Sequence, residues 1–221
     1  MPSAIMNRTL LFAVVSATLA GCASAPVSRS PDSTTLLGFT LKEPFTGFEE
    51  CEWRSLSTEP VTRQYAADGP QLEPCYQRSK EGGLIGSASA LGTEAIQLRF
   101  PQKHKPDLLL HDQLTLQLLE GRVHTVSAIT PGLSHQAQAI RELTALFGKP
   151  TSQRKESRKS KTGEWGEIIE ASWQRPSVVR IRYMGATATD FHQGYVEATT
   201  LQGAAYTRQR AEALRHPEPL R

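Results

Sequence analysis

The strongest folding constraint in this chain lies between Leu114 and Thr130, where the side-chain spacing spells a β-hairpin. Leu114, Leu116 and Leu118 recur at period two, Glu120-Gly121 offers a tight turn, and Val123 to Ile129 leads back. Strands joined by so short a turn run antiparallel, and such alternation gives one face to a core and the other to water. The remaining chain must therefore supply more strands and a cover for the apolar face.

Further strands are readable on both sides of this hairpin. In Glu94 to Phe100, Ile96, Leu98 and Phe100 alternate with Gln97 and Arg99. Glu167 to Trp173 places Ile169, Ala171 and Trp173 on one face, Arg175-Pro176-Ser177 turns the chain, and Val179, Ile181 and Tyr183 alternate with Arg180 and Arg182. Gly194 to Thr199 reads as a last strand at the sheet edge. Leu36 to Leu41 suggests a short strand or turn entering the domain. Pro44 to Glu50 suggests a brief helix, with Phe45 and Phe48 on one face.

The clearest helix follows Thr130-Pro131-Gly132. Ser134 is placed to cap it, and Ile140, Leu143 and Phe147 share a face that Ala137 and Leu146 flank. Gly148 and Pro150 then stop it. Ala204 to Arg215 reads as a short exposed helix in the tail. Helix then strands, twice, predicts an α+β fold: an antiparallel sheet with helices on one face and one helix in each of two divergent halves, 36–131 and 132–203.

The N-terminus carries a different message. Arg8 supplies a positive charge, Leu10 to Leu19 form an apolar core too short to span a bilayer as a helix, and small residues follow. The next residues, Leu19-Ala20-Gly21-Cys22, resemble the lipobox of bacterial lipoproteins. That resemblance implies cleavage before Cys22, diacylglycerol on its thiol, and durable anchoring by two or three acyl chains. Ala23, where aspartate would favour inner-membrane retention under the enteric sorting rule, implies an outer-membrane destination facing the periplasm. Ala23 to Thr35 is composed of Ala, Ser, Pro and Thr with little else, and reads as a tether. The expected organisation is a signal at 1–21, a lipidated tether at 22–35, an α+β periplasmic domain at 36–203 and a tail at 204–221.

By element order, Leu133 to Thr200 also resembles the helix-plus-meander units of the small lipoprotein of the outer-membrane barrel-assembly machine and of beta-lactamase-inhibitor proteins. The Gly38 to Leu41 segment, Gly-Phe-X-Leu before a cysteine, is similar to that of uncharacterised proteobacterial lipoproteins. Neither likeness carries a functional residue across.

Once Cys22 is lipidated, two of the three cysteines remain. In an oxidising compartment Cys51 and Cys75 are expected to form a disulfide, worth roughly 3 kcal/mol for a loop of that size. A catalytic thiol is the alternative, but neither cysteine sits in a Cys-X-X-Cys or nucleophile context. A net charge of +3 over 221 residues does not call for nucleic acid as a partner.

Other chemistry is thinly signalled. Gly82 to Ser87 lacks the strand, helix and lysine of a phosphate cradle and reads as a loop. His104, His111, His124, His135, His192 and His216 lack zinc-ligand spacing, so no metal or other cofactor is assigned. Ser134 beside His135 lacks a nucleophile elbow, and adjacent side chains at a helix start are expected to point apart. Asp107, Asp112, Glu167 and Asp190 read as solvated charges, although carboxylate pairs for glycan hydrolysis have no fixed spacing. The strongest local feature is Arg154-Lys155-Glu156-Ser157-Arg158-Lys159-Ser160-Lys161, with Trp165 just beyond. It reads as a solvated hairpin tip, or as the tip or edge of a hairpin that docks on an anionic envelope protein or polymer. The chain thus reads first as a non-enzymatic binding or scaffolding lipoprotein of the envelope. An inhibitor of a lysozyme-like envelope hydrolase and a cell-wall or lipid-processing enzyme are the alternatives.

Overall fold

A computed structural model of the protein describes residues 34–55, 63–65, 73–78, 93–175, 179–187 and 190–215. The signal, Cys22, the tether as far as residue 33, the Gly82 to Ser87 run, Pro176-Ser177 and His216 lie outside the described residues. Thr35, expected in the tether, pairs with Thr40 instead. Strands β1 (Thr35–Leu36), β2 (Phe39–Thr40), β3 (Glu49–Glu50), β4 (Trp53–Ser55), β5 (Arg63–Tyr65) and β6 (Cys75–Arg78) come first. Then follow β7 (Thr93–Arg99), β8 (Gln113–Leu119), β9 (Arg122–Pro131) and helix α1 (Gln136–Phe147). The last elements are β10 (Ser152–Lys159), β11 (Trp165–Gln174), β12 (Val179–Met184), β13 (Gln193–Thr200) and helix α2 (Leu201–Arg215).

Nine of these strands form one sheet in the order β10-β11-β12-β13-β9-β8-β7-β6-β3. All neighbours are antiparallel except β3 and β6, which run parallel. β1 with β2, and β4 with β5, form two further two-stranded pieces.

The expectation of an α+β fold with helices on one face is overturned. Among the described residues the protein is mostly β, 47% strand against 22% helix. The predicted helix at Pro44 to Glu50 is a turn leading into β3. Gly47 sits at φ +86°, which breaks a helix, and the Phe45 and Phe48 rings stack on each other at 5.5 Å. The charged run, read as the tip or edge of a hairpin, lies mostly in an eight-residue edge strand, β10, with Ser160 and Lys161 in the turn that follows. The helices lie on opposite faces. α1 buries Ala139, Leu143 and Phe147 with Val126 and Ala198, whereas α2 meets Thr125 and Thr199, whose side chains alternate with those two. β13 is no edge strand either: it lies between β12 and β9, with Val196 and Ala198 buried. Pairing of β13 with β9 carries the sheet without a break across the expected boundary at residue 131.

The readings at β7, at the β8–β9 hairpin and at α1 agree with the structure. Glu120 and Gly121 both adopt positive φ, as the tight turn between β8 and β9 demands. Gly148 ends α1, and the Trp173 indole donates to its carbonyl at 2.8 Å, serving an acceptor the helix end would leave unpaired. Phe147 and Trp173 pack beside one another, so cap and core are built by the same residues. Ser134 does not cap the helix. It lies in a single 3₁₀ turn, Leu133–His135, and makes no capping bond.

At the far edge Cys51 and Cys75 form the disulfide, with Cα atoms 5.0 Å apart. The Cys51 amide also donates to the Tyr76 carbonyl at 2.8 Å, continuing the β3–β6 pairing. No described helix is long and apolar enough to cross a membrane.

Candidate functional site

The charged run forms the opposite edge of the sheet. Strand geometry deals its side chains alternately to two faces. Arg154, Glu156 and Arg158 share the solvent face with Glu170, which lies opposite Arg154 in register. Lys155 and Lys159 point the other way, and Lys161 sits in the turn between β10 and β11. The run is therefore not one cationic patch.

Much of its charge is neutralised within the hairpin. Arg154 donates to one Glu170 oxygen from Nε at 2.9 Å and from Nη2 at 2.6 Å. Arg158 donates to the other Glu170 oxygen at 2.9 Å and to Glu156 at 2.7 Å. Lys155 reaches Glu167 at 2.8 Å on the other face. The hydrogen bond from Arg158 holds the Glu156 carboxyl below the usual glutamate range, and the same contact raises the Arg158 guanidinium. Cations in this arrangement chiefly tie β10 to β11 and blunt an edge that would otherwise pair with other strands.

Lys159 and Lys161 differ, having no ion pair among the described residues. Trp165 lies opposite Lys159 in register and is 72% exposed, against 1% for Trp173 in the same strand. An indole left in water, opposite the unpaired Lys159 in register and four residues from Lys161 in the turn, has the makeup of an interface anchor.

On the solvent face the sheet forms a groove of about 570 Å³, bordered by Arg154, Arg158, Glu170, Arg182, Met184 and Tyr195. Tyr195 donates to Glu197 at 2.9 Å, and burial followed by that carboxylate raises its phenol well above the ordinary range. The phenol thus stays protonated and serves as a hydrogen-bond donor. Glu170, Arg182 and Tyr195 escaped sequence reasoning. Their only signal is a polar side chain at every second position of strands β11, β12 and β13.

The other sequence candidates are scattered. Ser134 and His135 do meet, with Oγ 2.8 Å from Nδ1, contrary to the expectation that they point apart, but both are exposed on a surface turn. Among the described residues no three of His, Cys, Asp and Glu converge as metal ligands would. Asp112 faces Arg99 at 3.4 Å, Glu167 faces Lys155, and Asp190 accepts the His192 amide at 2.8 Å within its own loop.

Comparison with known protein families, with curated proteins and with solved structures found no match to this chain.

Proposed function

We propose that the protein is a lipid-anchored envelope protein that works by binding rather than by catalysis, and that it meets an anionic partner through Lys159, Lys161 and Trp165. The observation that carries this reading is the 72% exposure of Trp165 beside lysines that nothing in the hairpin neutralises. The lipobox Leu19 to Cys22 supports an anchored periplasmic address, with Ala23 favouring the outer membrane. The Cys51–Cys75 disulfide fits an oxidising compartment.

A photo-crosslinking residue at position 165, compared with the same residue at exposed Gln138 on α1, tests the proposal in intact envelopes. The expected result is a product specific to position 165 that disappears when Lys159 and Lys161 are changed to glutamate. Identical products from both positions, or a product indifferent to the charge reversal, overturns it.

A further inference from the structure

Helix α2 starts where β13 ends, with no loop between them. Its first turn is fixed by a short relay. Thr200 Oγ accepts the Gly203 amide hydrogen at 3.0 Å, which makes Thr200 the helix cap. The same oxygen lies 2.8 Å from Nδ1 of His124, which can take the hydroxyl proton if the imidazole is neutral and protonated on Nε2. His124 is the extra residue of a bulge in β9: Thr125 faces Gln117 and Val123 faces Leu118, leaving His124 between them. Both His124 and Thr200 are buried.

The rest of the contact between α2 and the sheet is polar and thin. Gly203 lies so close that a Cβ there would fall 2.7 Å from Thr125 Oγ and 2.8 Å from Thr199 Oγ. Beyond it, Thr93 donates to the Tyr206 hydroxyl at 3.0 Å, and Thr207 reaches Gln117 at 3.4 Å. The described members of the main hydrophobic cluster include no residue of α2. The helix can leave the sheet without uncovering that core, and such weakly held elements open at low free energy.

We propose that His124 is an acid-operated latch, whose protonation undoes the Thr200 cap and frees α2 from the solvent face of the sheet. An imidazolium would donate from Nδ1 to the Thr200 oxygen, reversing that contact, and the hydroxyl proton would lose its acceptor in a buried site. It would also set a positive charge at the N-terminus of a helix, where the dipole is itself positive. The charged groups acting on the ring are Lys42, beyond β2, and Glu120 and Arg122, at the β8–β9 turn. Burial first, then Lys42 and Arg122, hold the imidazole below its ordinary range, and Glu120 opposes them. A histidine released to water titrates near 6.5. The closed state is therefore favoured above that pH, and its advantage is lost as pH falls toward the lower value of the closed state. Within that window the opening constant rises by up to about tenfold per pH unit.

Amide hydrogen exchange of the whole folded chain tests this, measured between pH 8 and pH 5, corrected for intrinsic rates and read against α1. Exchange across α2 should rise below pH 6.5 by up to about tenfold per unit while α1 stays protected. His124→Asn, which keeps an acceptor but does not titrate, should abolish the pH response. Should that variant not fold, nitrogen NMR of the unaltered protein decides. A bare Nδ1 at neutral pH, with ring titration tracking α2 exchange, supports the latch. Three results would overturn it: a proton on Nδ1 at neutral pH, α2 exchange in step with α1, or a pH response that survives in His124→Asn.

Discussion

The side-chain amide of Gln136 pairs with the backbone of Ile169 as a strand residue would: its oxygen accepts the Ile169 N–H at 3.0 Å. Its nitrogen donates to the Glu167 carbonyl at 2.8 Å. β12 ends at Met184 and β11 runs on, so the first residue of α1 completes the pairing of a strand that has lost its neighbour. This couples the orientation of the helix to the sheet through one side chain.

Replacing Gln136 with leucine should strip both backbone groups of their partner and cost about 1–3 kcal/mol. Gly185→Ala should do comparable harm by another route, since a Cβ there would lie 2.2 Å from the Gln136 oxygen and 2.9 Å from its Cβ. Urea unfolding of the two single variants and the double variant checks this. The double should lose less than the sum, because the closest clash, with the amide oxygen, goes with the glutamine while the Cβ contact stays.

The Cys51–Cys75 bond closes a loop across β3 and β6. Reduction, or replacement of both cysteines by alanine, should lower stability by about 3 kcal/mol. Non-reducing peptide mapping should recover one linked species from protein taken from the envelope. The double variant should unfold at the same denaturant concentration with or without reductant.

Glu156 should titrate below an ordinary glutamate because Arg158 hydrogen-bonds it. A carboxyl depressed on folding contributes stability above its unfolded pKa, and that contribution is lost as pH falls through the folded value. Carbon NMR titration should show the low value in the unaltered chain and a higher one in Arg158→Met, where Arg154 alone still favours the carboxylate. Glu170→Gln, which loosens both arginines at once, should cost about 1 kcal/mol at low salt and less in 1 M salt.

Cys22→Ser should leave the chain unprocessed or unanchored and without the added acyl mass. Mass spectrometry of the N-terminal peptide from membranes checks this. An unmodified mature chain beginning elsewhere would remove the anchored reading.

What could be read in advance was whatever buries a regular stripe. The β8–β9 hairpin and α1 declare themselves through Leu114, Leu116 and Leu118 and through Ile140, Leu143 and Phe147, each set bounded by its own turn or stop signal. β10 was illegible as a strand because an edge strand dressed in charge has no apolar period to show. Phe45 and Phe48 carried a helical spacing, yet their rings meet across a turn, beside Phe39 and Tyr76. The central place of β13 depends on pairing with β9, more than sixty positions earlier in the chain, which no local pattern encodes. The groove was hidden for the same reason, since Glu170, Arg182 and Tyr195 become neighbours only through strand order.

The two ends of the nine-stranded sheet carry opposite charge: β3 ends it with Glu49 and Glu50, and β10 with arginines and lysines. Two copies drawn together by that contrast would meet head to tail, an arrangement with no closing symmetry that grows into open filaments. Glu156, Glu167 and Glu170 quench most of the basic end from within the same molecule, and β3 offers only two residues to pair with. The carboxylates on and behind β10 therefore oppose head-to-tail association of neighbouring copies.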